Sequence, residues 1–124
     1  MKRSSKGMES VFSWLGLGNE GERIFSVVAN ADDPLEGWNV YLTRLLKFPF
    51  DAVVSEPQDE GPLDYKDKVQ VQSICGTDDM YGILVDVTFG LRQYLFPLCD
   101  LSVRDKKSPN YLPVHDYSVW FANR

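Results

Sequence analysis

The side chains best placed to do chemistry in this sequence are carboxylates gathered in short stretches. Asp32, Asp33 and Glu36 sit in NADDPLEG; Glu56, Asp59, Glu60, Asp64 and Asp67 fall within EPQDEGPLDYKD; Asp78 and Asp79 adjoin in GTDDMYG. Hard divalent cations take about six to eight oxygen ligands from loops that can bend around the ion. Like charges crowded into a turn repel one another, and a cation relieves that repulsion. No stretch has the alternating acids, central glycine and closing glutamate of a helix-loop-helix calcium loop, so any site must be assembled from separate segments. The expected metal ligands are Asp32, Asp33, Glu36, Glu60, Asp78, Asp79 and Asp100. For each acid the plain alternative is solvation, and Asp33 and Glu36 could instead cap a helix.

Other chemistries find little to work with. A serine or cysteine nucleophile needs a base held by a third group, and the sole histidine, His115, lies in a tail beside Tyr117 and Trp120, where a packing role is expected. Cys75 and Cys99 are isolated thiols without the paired spacing of a zinc site, and are expected to be buried and reduced. GLGNEG at 16 to 21 lacks the spacing and the lysine of a phosphate loop. The sequence therefore reads as a binding protein and not an enzyme.

Charge narrows the partners. Eighteen acids against thirteen bases give a net charge of −5 and a pI near 4.7, which repels nucleic acid and anionic membranes and favours cations or basic partners. Charge alone also admits an acidic inhibitor that mimics nucleic acid. No apolar run approaches the roughly 20 residues needed to cross a bilayer. The basic start, Lys2, Arg3 and Lys6, is followed by apolar residues broken by Glu9, Ser10, Ser13 and Gly16, which spoils a secretory core. A cytoplasmic protein is expected.

The elements that must position the acids follow from periodicity. Residues 1 to 21 are expected to be a flexible or weakly ordered segment, with a short apolar helix or turn near Val11 to Leu15, and 22 to 124 a single domain. Glu22 to Ala29 is β-branched and aromatic enough for a strand. Asp33, Pro34 and Glu36 mark a helix start with a capping-box pattern, and the helix should run to about Lys47. At Phe48 the apolar period changes from helical to alternating, giving a strand over 48 to 56.

Lys68 to Cys75 alternates, with Val69, Val71, Ser73 and Cys75 on one face. Ile83 to Phe89 and Arg92 to Leu98 form a hairpin about Gly90 and Leu91. CDLSVRDKKSPN reads as a charged loop, and Val114, Tyr117, Trp120 and Phe121 give a closing helix. These elements predict an α+β fold: a small antiparallel β-barrel of the Src-homology-3-like kind with an N-terminal helix and a short C-terminal helix. In such a barrel the loop after the first strand, GTDDMYG and the turn after Leu98 lie at one end, gathering Glu60, Asp78, Asp79 and Asp100.

A resemblance adds what spacing cannot. GW at 37–38, YL at 41–42, FPFDA at 48–52, PLDYKDKVQV at 62–71, PLCDL at 97–101 and DYSVW at 116–120 occur in an order that resembles a small family of bacterial calcium-binding proteins, nearest its cyanobacterial branch associated with heterocyst differentiation. The likeness covers roughly residues 25 to 121. It implies cytosolic calcium binding without a helix-loop-helix motif, and a role in setting free calcium during cell differentiation. The family pattern carries an acid-rich helix before the tail where this chain has SPNYLP, so no ligands carry over from 108 to 113. The expectation is a monomeric calcium buffer, with a regulatory protein as a further partner. The alternative is an interaction barrel that holds a basic or proline-rich peptide with Tyr65, Tyr81 and nearby acids.

Overall fold

A computed structural model describes residues 19–29, 31–58 and 60–124. The short element expected near Val11 to Leu15 lies outside the described residues, as does Asp59. Chain order is α1 (Asn19–Val28), α2 (Pro34–Leu45), β1 (Phe50–Val54), β2 (Lys68–Asp78), β3 (Gly82–Phe89), β4 (Arg92–Pro97), a 3-10 turn (Leu98–Asp100), β5 (Leu101–Ser102) and α3 (Tyr111–Asn123).

The first element corrects the sequence reading, since the expected strand over 22–29 is helical. Its β-branched content favours a strand only weakly, and tertiary burial decides. Ile24 is buried, and Val27 and Val28, three and four residues on, pack against the core, which is helical spacing. α2 starts as expected. Asp33 caps it, accepting from the amides of Leu35 at 3.0 Å and Glu36 at 3.4 Å, and Pro34 takes the first turn. Glu36 does not complete the capping box, its carboxylate instead accepting from Asn39 at 3.4 Å. The helix stops at Leu45, and the buried Asn110 fastens its exit, accepting from the Lys47 amide at 2.8 Å and donating to the Lys47 carbonyl at 3.1 Å.

The strands form one antiparallel sheet in the order β4-β3-β2-β1-β5. It stays open, so the expected Src-homology-3-like barrel does not form. The terminal strands β4 and β5 each pair on one side only, and β5, two residues long, is too short to carry a closing ladder. Phe50, Val71, Val87 and Tyr94 make a cross-strand row on the inner face. Asp51, Gln70, Thr88 and Gln93 make the matching polar row outside.

Two bulges in β2 insert Gln72 and Cys75 opposite β3. Each extra residue reverses the alternation, so Ile74 turns toward the core while Ser73 and Cys75 are exposed. This overturns the expected burial of Cys75; Cys99 is half-buried. The hairpin over 83–98 forms as read, and Gly90 takes φ 62 in its two-residue turn.

The C-terminal helix also forms, with Pro113 in its first turn. Trp38 of α2 meets Tyr117 and Trp120 of α3 at ring-centroid distances of 5.6 and 5.9 Å, which closes the helical layer over the sheet.

Candidate metal centre

The expected ligands divide by what their carboxylates already do. Asp33 is occupied as a helix cap. Asp78 holds its own turn, accepting from the amides of Met80 at 2.8 Å and Tyr81 at 2.9 Å. Asp32, Glu60 and Asp79 are exposed, and Glu60 sits at a turn residue with φ 58. Asp100 differs from all of these. It is half-buried at the end of the sheet, accepting from Gln58 Nε2 at 2.7 Å and from the Cys99 thiol at 3.6 Å.

Burial pushes the Asp100 carboxyl above the usual carboxylate range, and the nearby Glu56 carboxylate pushes the same way; the hydrogen bonds from Cys99 and Gln58 act against both. The loop bearing Glu56 is pinned here by backbone, the amides of Ser55 and Glu56 donating to the Asp100 carbonyl at 2.8 and 3.3 Å. No basic side chain forms an ion pair with Asp100 among the described residues. The neighbouring Cys99 thiol is pushed up to about 12, first by burial and then by the Asp100 charge.

Across the same end of the sheet, α3 braces the β2–β3 turn. Tyr117 Oη accepts from the Ile83 amide at 2.8 Å, and Arg124 donates to the Met80 carbonyl at 3.4 Å while lying 3.8 Å over the Phe121 ring. Burial pushes the Tyr117 phenol upward, so it stays a neutral hydroxyl here.

Among the described residues the one group of three potential ligand atoms within 4.8 Å is elsewhere: Glu20, His115 and Asp116. Glu60, Asp78, Asp79 and Asp100 do not form such a group. In the Glu20 group, however, Arg23 grips the fully buried Asp116 through Nε at 2.7 Å and a second guanidinium nitrogen at 3.1 Å. His115 Nε2 meets Glu20 at 2.5 Å. A calcium ion here would have to displace a guanidinium already neutralising the carboxylate, and would meet a nitrogen ligand where it prefers oxygen. The trio instead ties α1 to α3.

Sequence reasoning missed Glu56 and Gln58 as neighbours of Asp100, because contact across 42 residues leaves no local trace. It also missed Asp116. The available signal was an acid three residues after Pro113 and one before Tyr117, inside the apolar stripe of the last helix.

The profile of the CcbP family, described as calcium binding, matches residues 22–121. The chain belongs to the CcbP calcium-binding family. Two solved structures share its fold. One is described as a calcium-binding protein in its calcium-binding form, with a TM-score of 0.68 at 21% identity over 85% of this chain and 90% of the other. The second is Anabaena CcbP, with a TM-score of 0.67 at 23% identity over 84% and 89%. No curated protein sequence matches.

Several CcbP-like sequence marks turn out to be structural: DYSVW supplies buried Asp116 and Tyr117 and the packed Trp120. PLCDL supplies Asp100. The donor set around Asp100, its own carboxylate with that of Glu56 and the Gln58 side-chain amide, is of the oxygen-bearing kind that a hard cation takes.

Proposed function

We propose that this CcbP-family protein is a cytoplasmic calcium buffer that takes the ion at the Asp100 end of the sheet. Asp100 and Glu56 would ligate directly, and Gln58 would turn its amide oxygen inward. The observation that carries this reading is a half-buried carboxylate with a second carboxylate beside it and no cationic partner among the described residues. Such a group is costly to ionise alone, and a divalent ion offsets both charges. Asp78 and Asp79, on the turn braced by Tyr117 and Arg124, are the further candidates of the expected set.

A buffer fits better than a sensor. Sensors expose an apolar, often methionine-rich groove on binding, whereas Met80 is the sole methionine among the described residues and the aromatic helix layer is locked across α2 and α3. Regulation of free calcium during cell differentiation is the matching physiological role, with the protein acting as a monomer. A peptide-binding barrel loses its groove once the sheet is open, although Tyr65 and Tyr81 are exposed.

Calorimetric titration of chelator-treated protein with calcium, in parallel with magnesium, tests the function. Saturable heat with calcium and a weaker response to magnesium is the expected result, because magnesium demands tighter octahedral geometry and dehydrates reluctantly. Absence of heat and of any thermal shift at millimolar calcium would remove the reading. A large rise in apolar-dye binding with calcium would convert buffer to sensor.

A further inference from the structure

A cavity of about 270 Å³ lies between the chain around β5 and α3. Arg104 and Lys106 line it, with hydroxyl-bearing Ser102, Tyr111 and Ser118, and no carboxylate does. Neither cation has an ion-pair partner among the described residues. Asp105, between them in sequence, directs its carboxylate to the Lys107 amide at 2.9 Å and is not part of the lining. His115 forms a wall, stacked on Tyr111 with ring centroids 5.6 Å apart and its Nε2 taken by Glu20. Ser118 Oγ is buried and has no hydrogen-bond partner. That atom is itself closed off from the cavity, so the hydroxyls on offer there are those of Ser102 and Tyr111.

We propose that this cavity binds a small oxyanion, the phosphate group. Arg offers a planar fork and Lys a point charge, the two modes in which proteins hold phosphate oxygens. The Ser102 and Tyr111 hydroxyls add further donors to the same lining. The space far exceeds the roughly 30 Å³ share of one water, so a polyatomic anion fits. Nothing in this site depends on calcium.

The test is titration of the full, chelator-treated chain with inorganic phosphate and, separately, glycerol phosphate, followed by amide chemical shifts. Saturable shifts at Ser102, Arg104 and Ser118 are expected. Tighter binding of the free ion identifies phosphate itself as ligand, and tighter binding of the ester identifies a phosphorylated metabolite. The Arg104→Gln, Lys106→Gln double variant, altering two exposed side chains, should bind at least about tenfold more weakly, as loss of charge-assisted bonds predicts. Tyr111→Phe, which keeps the ring stack on His115, should weaken binding several-fold, and Lys68→Gln, outside the lining, should leave it unchanged. No saturable shift with either probe, equal affinity in the double variant, or equal response to chloride would overturn the proposal. A failure here would leave the calcium reading standing, because calcium is absent from the experiment.

Discussion

At the scale of single residues, Asp33 and Asp100 show why an acid's type says less than its surroundings. Asp33 caps α2 from an exposed position, so Asp33→Ala should cost about 1 kcal/mol of stability and leave calcium affinity unchanged, read by denaturant unfolding and titration. Asp100 carries the opposite expectation. Its carboxyl is held above the ordinary range, chiefly by burial. The ionised form is therefore disfavoured by the fold, a cost absent below the ordinary carboxylate pKa and fully present above the raised one.

Without calcium, Asp100→Asn should thus raise the melting temperature at neutral pH and not at acidic pH. With calcium present, protons compete at Asp100 as pH falls through its raised pKa, so affinity should begin to fall at a higher pH than an exposed carboxylate would give. The buried Asp116 makes a third contrast. Arg23→Ala would strand its charge, and losses of about 3–5 kcal/mol are expected for a buried pair broken on one side, measurable by chemical denaturation. The clusters of acids were legible in the sequence. Their division into caps, turn-holders and a half-buried group was not, because it depends on what each carboxylate meets in space.

At the scale of elements, local chemistry predicted well wherever it was complete. Asp33 with Pro34 fixed the start of α2, and Gly90 the hairpin turn. It failed where the deciding contact was distant. Ile24 and Val28 are good strand residues, yet docking against the other helices makes 19–28 helical. The bulge at Gln72 carries no glycine or proline signal, and the one at Cys75 is marked only by the adjoining Gly76, at φ 148; together they reverse a face that strict alternation would preserve.

Gly82 shows how one element constrains another. It takes φ 74, and a Cβ there would collide with the Tyr117 hydroxyl and the Phe121 ring. Gly82→Ala should displace either the β2–β3 turn or α3, costing several kcal/mol by backbone strain and overpacking together, visible as loss of hydrogen-exchange protection at Ile83. Cys75, exposed, should be alkylated well before Cys99, whose thiol is half-buried and raised to about 12; mass spectrometry after brief treatment reads the order.

At the scale of the whole molecule, the α+β class was legible from the succession of periods, while closure of the sheet was not. Whether strands at the two ends meet depends on their length, and β5 runs for only two residues. The open sheet leaves one polar face and concentrates rigidity in the aromatic layer of α2 and α3. Calcium binding only the folded state should stabilise it by about 2.7 kcal/mol at a hundredfold excess over the dissociation constant, seen as a rise in melting temperature without a gain in dye-accessible apolar surface.

The most direct check is calorimetric calcium titration of Asp100→Asn beside the unaltered, chelator-treated protein at neutral pH. Affinity at least about tenfold weaker in the variant, the loss expected when a charged ligand is removed, is the predicted result. Identical binding curves would show that the ion resides elsewhere in the molecule.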